Sequence, residues 1–199
     1  MKTINELVKE AHQNAVNKGW WEEERTYGEL IALVHSEVSE ALEDYRIPGR
    51  KPTDVWYEFK CKDGRVLKQS IMASNEHKPC GIPSELADIC IRIFDIAGNY
   101  EWGQQLEDGV QYVNDQRTSY KWKDASFAGK LSIIHMLISK SMELLDWEND
   151  PEAAAIYLAA CISGVQMLCA DYGIDLDKAI AEKMAYNATR PHRHGGKVL

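Results

Sequence analysis

The stretches LVHSEVSEALEDY (33–45) and GIPSELADICIRIFDIAG (81–98) decide how this chain reads, because each sets a pair of acids three residues apart in an apolar-periodic run. The pairs are Glu37 with Glu40 and Glu85 with Asp88. Residues three apart on a helix share a face, so each pair presents both carboxylates in one direction. Glu37 falls on or beside the stripe that Leu30, Val34, Ala41 and Tyr45 would bury, where an acid needs a partner. Glu85, Asp88, Arg92 and Asp95 form one polar stripe beside Leu86, Ile89, Ile93 and Ile96. Two such helices face to face would gather four carboxylates. Acids held that close repel one another unless protonated or neutralised, and a hard divalent cation such as Mg²⁺ is the usual counterpart to all-oxygen ligation. A solvated helix face is the plainer account of either pair taken alone.

Outward from these two segments the chain stays helical. Apolar periodicity predicts helices over about 3–17, 27–46, 83–99, 104–117, 126–147 and 151–171, with another near 175–189. Pro48-Gly49 ends the first acid-bearing helix, Pro83 stands at the start of the second, and Asn149-Asp150-Pro151 opens the sixth. The fold class is all-α. One stretch departs from it: VWYEFKCKDGRVLKQSIMA (55–73) alternates and turns at Asp63-Gly64, the dipeptide of a β-hairpin, and so reads as an insert at about 47–82.

The chain also resembles itself. GELIALVHSEVSEALEDY lies over GKLSIIHMLISKSMELLDW, and the segment from Glu85 lies over the one from Tyr157. Glu37 and Glu40 then fall opposite Ile138 and Ser141, and Glu85 and Asp88 opposite Tyr157 and Ala160. The expectation is one domain of two related helical halves, about 1–120 with the acids and about 121–199 as a degenerate repeat without them.

Composition narrows the partners. At 199 residues the chain buries a real core, and a net charge of −8 speaks against a groove-binding partner of polymeric nucleic acid. The N-terminus lacks the apolar core of a signal peptide and no segment reads as a membrane span, so a soluble, cytoplasmic protein is expected. Five cysteines, an odd number and mostly within helical patterns, suit a reducing compartment. Cys61, His77 and Cys80 raise a zinc site as an idea, but the spacing lacks a fourth ligand and matches no zinc signature. A di-iron bundle needs Glu-x-x-His, and none of the six histidines stands three residues after a glutamate.

The paired motif, with KMAYNATRPHRHGGK (183–197) and the lead-in NKGWWEEER (17–25), resembles the all-α nucleoside triphosphate pyrophosphohydrolases of the MazG type. The resemblance touches the start, middle and end of the chain. It implies a helical bundle, paired as a homodimer or here within one chain as a pseudo-dimer. It implies Mg²⁺, with Mn²⁺ as a substitute, held by Glu37, Glu40, Glu85 and Asp88, and cleavage of a nucleoside triphosphate to the monophosphate and pyrophosphate. Among these acids Glu37 or Glu40 would take the proton of the attacking water. Lys183, Asn187 and Arg190 share one face of the last helix and would clamp phosphates, the plainer account being a basic helix end. Arg193, His194 and Lys197 would add a basic tail. Trp21, beside Trp20, is the candidate for a nucleobase, with His12 and Asn14 as polar contacts and core packing as the alternative. Two departures stand out: Ser36 occupies a place that is acidic in many relatives, and the insert widens the gap between the motifs. The rival function is a non-catalytic nucleotide-binding or partner-binding helical module.

Overall fold

A threonine–glutamate capping box opens each of the first two helices. In α1 (Ile4–Asn17) Thr3 accepts from the Glu6 backbone and Glu6 reaches back to Thr3; in α2 (Tyr27–Tyr45) Thr26 and Glu29 do the same. The second box fixes where α2 starts, and with it the face on which Glu37 and Glu40 fall. The structure, a computed structural model, describes residues 2–116 and 120–196. The remaining helices are α3 (Ile82–Asn99), α4 (Gly103–Gln116), the single turn α5 (Tyr120–Lys123), α6 (Phe127–Asp146), α7 (Pro151–Tyr172) and α8 (Leu176–Thr189), followed by a short turn at Arg193–Gly196. The seven long helices end within about one residue of where the periodicity puts them; α5 is the addition.

The insert is a small sheet. β1 (Trp56–Lys60) pairs antiparallel with β2 (Val66–Gln69) across the Asp63-Gly64 turn, with Tyr57 opposite Gln69 and Lys60 opposite Val66. A third strand, β3 (Lys78–Cys80), which the alternation does not announce, pairs with the other edge of β1 and gives the order β2-β1-β3. β3 then runs through Gly81 into α3 and packs on α8. Gly81 has φ +103, and a Cβ there would meet the Asp54 carbonyl oxygen at 2.4 Å, so only glycine lets the insert lie against the start of α3. The mixed outcome, helices with a three-stranded sheet between the acid-bearing pair, follows from this local chemistry.

The helices cross-pack in an interleaved order. α2 lies on α3 and α6 lies on α7; α8 returns to pack on α3, while α4 packs on α7. α2 and α6 run antiparallel against each other. Tyr27 Oη meets Ser141 Oγ at 2.6 Å at one end, the Tyr45 and Phe127 rings stack at 4.3 Å at the other, and between them His35 Nδ1 meets His135 Nδ1 at 2.7 Å. The core is continuous, with Val34, Val38, Leu86, Ile89, Ile93, Ile134, Ile138, Leu158 and Ile162 essentially closed to water.

One reading of the sequence needs correction. α7 is long and apolar enough to cross a membrane, with 22 residues and a window of mean hydropathy 1.8, although no segment was expected to reach that length. Its apolarity is spent inside the bundle: 61% of that window is buried, Ala154, Leu158, Ile162 and Val165 among it. A helix enclosed by α4, α6 and α3 is apolar on nearly every face, which periodicity cannot tell from a span.

Candidate functional site

Four segments converge on one cleft of about 190 Å³: α1, α2, α3 and α8, with the Lys78 end of β3 at its side. On its floor, ligand atoms of Glu37, Glu40 and Glu85 lie within 4.8 Å of one another. Glu37 is buried, as its place beside the apolar stripe of α2 requires, and Glu40 one turn on is exposed. Glu85, in the first turn of α3, is buried too. Among the described residues no Lys or Arg is paired with all three; Arg92 is paired with Glu37 alone. Arg92 Nε donates to Glu37 Oε1 at 3.1 Å, and burial together with Asp88 and Glu40 nevertheless raises the Glu37 carboxyl above its ordinary range. Burial pushes Glu85 up to about 8; Lys183 pulls against the shift while Asp88, Glu40 and Glu37 add to it. The floor is thus a cluster of hard oxygen donors short of positive charge.

Asp88 lines the same cleft but is spoken for. Its Oδ2 lies 2.6 Å from Lys183 Nζ, and Lys183 also donates to Ser84 Oγ at 2.8 Å, which in turn donates to the Pro79 carbonyl. Lys183 is 3% exposed. Burial works against its ammonium, yet Asp88 and Glu85 hold its pKa above the ordinary lysine value. So three of the four expected acids gather as a group, and the fourth is tied by α8 to α3 and β3. Lys183 is a strut as placed.

Asn187, one turn further along α8, lines the cleft with its Oδ1 buried and without a hydrogen-bond partner among the described residues. Arg190 lies beyond it on the same wall, half-buried, its guanidinium 5.7 Å from the Tyr186 ring centre. A buried acceptor with nothing to accept is costly unless a ligand or water fills the place. Of the tail, His194 lines the cleft edge-on to Trp20 at 4.9 Å, and Arg193 donates to the Gly19 carbonyl and pairs with Glu23; Lys197 lies outside the described residues.

Of the two tryptophans, Trp20 lines the cleft and Trp21 does not. Trp21 turns its Nε1 to Asp95 Oδ1 at 2.8 Å, and the same oxygen accepts from His12 Nδ1 at 2.9 Å. Trp21, expected as a nucleobase contact, thus reaches the cleft only through Asp95, which lines it. Asn14 lines the cleft and His12 stands behind Asp95. Lys78 belongs to the cleft without any signal in the sequence, because β3 was itself unannounced; Arg92 and Asp95 were legible as members of the α3 polar stripe.

Against protein-family models, curated proteins and solved structures the chain has no match. What the site does follows from its donors and charges. Three converging carboxylates fit a hard divalent ion such as Mg²⁺ by donor type, and two of them, Glu37 and Glu85, are raised by burial and by neighbouring acids, a cost that a bound cation would relieve. Elsewhere among the described residues no comparable group of His, Cys, Asp and Glu converges; Cys61 and Cys80 are free thiols, and His77 stacks on Phe59 instead. Ser36 donates to the Leu33 carbonyl on an exposed face of α2 and takes no part in the cleft.

Proposed function

We propose that this chain is a Mg²⁺-dependent nucleoside triphosphate pyrophosphohydrolase of the all-α MazG type, built as two related halves with one active centre. The observation that carries the reading is a floor of Glu37, Glu40 and Glu85 under a wall that bears Lys78, Arg92, Lys183 and Arg190. An acidic floor with a basic wall suits a polyanion that arrives with its cation, since neither the acids nor the phosphates alone would tolerate the other. Glu37, Glu40 and Glu85 would hold Mg²⁺, which would supply neutralisation of phosphate charge and a more acidic water. The acids of α2 orient that water for in-line attack on the α-phosphorus; the bond to the β-phosphate oxygen breaks, and pyrophosphate leaves. That Glu40 is exposed and lacks the Arg92 contact that engages Glu37 favours it over Glu37 as the acid that would accept the water's proton. Arg190 and Asn187 face the phosphates and sugar, with the unpartnered Asn187 Oδ1 accepting from a hydroxyl.

The degenerate half supports the single centre. Ile138 and Ser141, opposite Glu37 and Glu40 in the internal alignment, are fully buried, and Ser141 donates to the Ala154 carbonyl instead of facing a cleft. The rival, a nucleotide-binding module without turnover, draws on the Lys183–Asp88 pair, which engages one expected ligand. Pyrophosphate release separates the two. With Mg²⁺ and a range of nucleoside triphosphates, release should be cation-dependent and fall by at least about 100-fold in Glu40→Gln, the scale of a lost general base. Binding of triphosphate with no release in Mg²⁺ or Mn²⁺ would leave the rival standing.

A further inference from the structure

Asp95 ends the polar stripe of α3, two helical turns or ~10 Å beyond Asp88 on the same face. One of its oxygens is fully used and the other is not. Oδ1 accepts from both Trp21 Nε1 and His12 Nδ1, whereas Oδ2 has no hydrogen bond among the described residues and the side chain lines the cleft. Two donors on one oxygen pin the carboxylate at a fixed angle and leave its second oxygen as the acceptor still open, with the Arg25 guanidinium acting on it through charge but forming no hydrogen bond to it among the described residues. The opposing wall is α1, where Ala11 and Ala15 stand one turn apart with Asn14 between them, so a flat ring meets two small side chains and one amide. Trp20 adds an aromatic face to the lining. The close approach of α1 to α3 is built in, because a Cβ on Gly98 would lie 2.3 Å from His12 Cβ.

We infer that Asp95, oriented by Trp21 and His12, selects a nucleobase that carries an exocyclic amino group. This rests on the triphosphate reading above and specifies its substrate. A carboxylate oxygen only accepts, and the amino groups of cytosine, adenine and guanine donate, as in the pairing of acidic side chains with cytosine N4. Uracil and thymine have one ring N–H on that edge, flanked by two carbonyls that repel a carboxylate. Asn14, with donor and acceptor, complements the ring atom next to the amine. The distance along α3 from the metal-binding acids to Asp95 leaves room for the sugar between them.

The test has two arms. Relative kcat/KM is measured for deoxycytidine, deoxyadenosine, deoxyguanosine, deoxyuridine and thymidine triphosphates, and binding of deoxycytidine and deoxyuridine monophosphates is measured by calorimetry, in the wild type, Asp95→Asn and Asn14→Ala. Amino-bearing substrates should be preferred by roughly tenfold or more, the range of one good base contact. Asp95→Asn keeps an acceptor for Trp21 and His12 and turns an N–H₂ to the cleft, so it should erase that preference or reverse it toward uracil. Asn14→Ala should weaken the preference without touching the Asp95 network, which serves if Asp95→Asn does not fold. Turnover with no preference between amino and keto bases, or a preference unchanged in folded Asp95→Asn, overturns the inference and leaves the pyrophosphohydrolase reading intact. No turnover, with deoxycytidine monophosphate still bound over deoxyuridine monophosphate, overturns the catalytic reading and keeps the base subsite.

Discussion

Lys183 holds an ammonium where water hardly reaches, and its worth lies in what it faces. Asp88 at 2.6 Å and Ser84 at 2.8 Å satisfy two of its three donors, and Glu85 adds attraction from the same side. Removing one partner of a buried pair leaves the other charged and unpaired, which costs more than the pair contributes. Lys183→Met should therefore destabilise the cation-free protein by about 3 kcal/mol, read as a lower denaturant midpoint. Millimolar Mg²⁺ should recover part of that loss, because the freed Asp88 then joins Glu37, Glu40 and Glu85 as a ligand. A variant as stable as the wild type without cation would show that Lys183 bears no strut role. The lysine was picked out from its helical face as a phosphate clamp; the folded chain adds contacts with Asp88 and Ser84 that the sequence does not announce.

At the scale of elements, the contact between α2 and α6 is set by His35 and His135. Their Nδ1 atoms meet at 2.7 Å with the rings stacked at 5.0 Å, and Ser139 Oγ lies 3.3 Å from His35 Nε2. One imidazole must donate and the other accept, so at least one Nδ1 carries no proton. Burial lowers the pKa of both, His135 lowers His35 further, and no acid or other cation among the described residues acts on either. Both pKa values are below the unfolded 6.5, so the unfolded chain takes up more protons as pH falls. Stability from the pair is therefore full above about 6.5 and is lost as pH falls below it. Urea midpoints between pH 7.5 and 5 should fall less in the double variant His35→Asn with His135→Asn than in the wild type. Parallel curves would show that the pair is insensitive to acid. Since α2 also carries Glu37 and Glu40, the same contact ties the floor of the cleft to the second half of the chain.

For the whole molecule, the interleaving matters most. α8 of the second half packs on α3 of the first, and α4 of the first packs on α7 of the second, so neither half closes its core alone. The cleft needs α1, α2 and α3 from one side and α8 from the other. A single class of triphosphate site per chain should appear by calorimetry in Mg²⁺, and two equivalent sites per chain would refute the pseudo-dimer. Mg²⁺ at about 100 times its dissociation constant should stabilise the wild type by about 2.7 kcal/mol, and Glu85→Gln should lose most of that increment. An unchanged Mg²⁺ increment in Glu85→Gln would remove this acid from the metal centre.

The sequence by itself determined the helices, the hairpin and the acid-bearing faces, because capping boxes, Pro and Gly punctuation and the 3.6-residue period act within a few residues of the chain. It also put Glu37 on a buried stripe and Asp95 in line with Glu85 and Asp88. Only the tertiary structure decided which charges meet. That Asp88 pairs with Lys183, that Trp21 serves Asp95 while Trp20 lines the cleft, and that Lys78 reaches the site all depend on contacts between residues far apart in the chain. The apolar run of α7 likewise took its meaning from what surrounds it. Local periodicity fixes the direction of a side chain on its own helix; whether that direction meets water, an acid or another helix is set by how the helices pack.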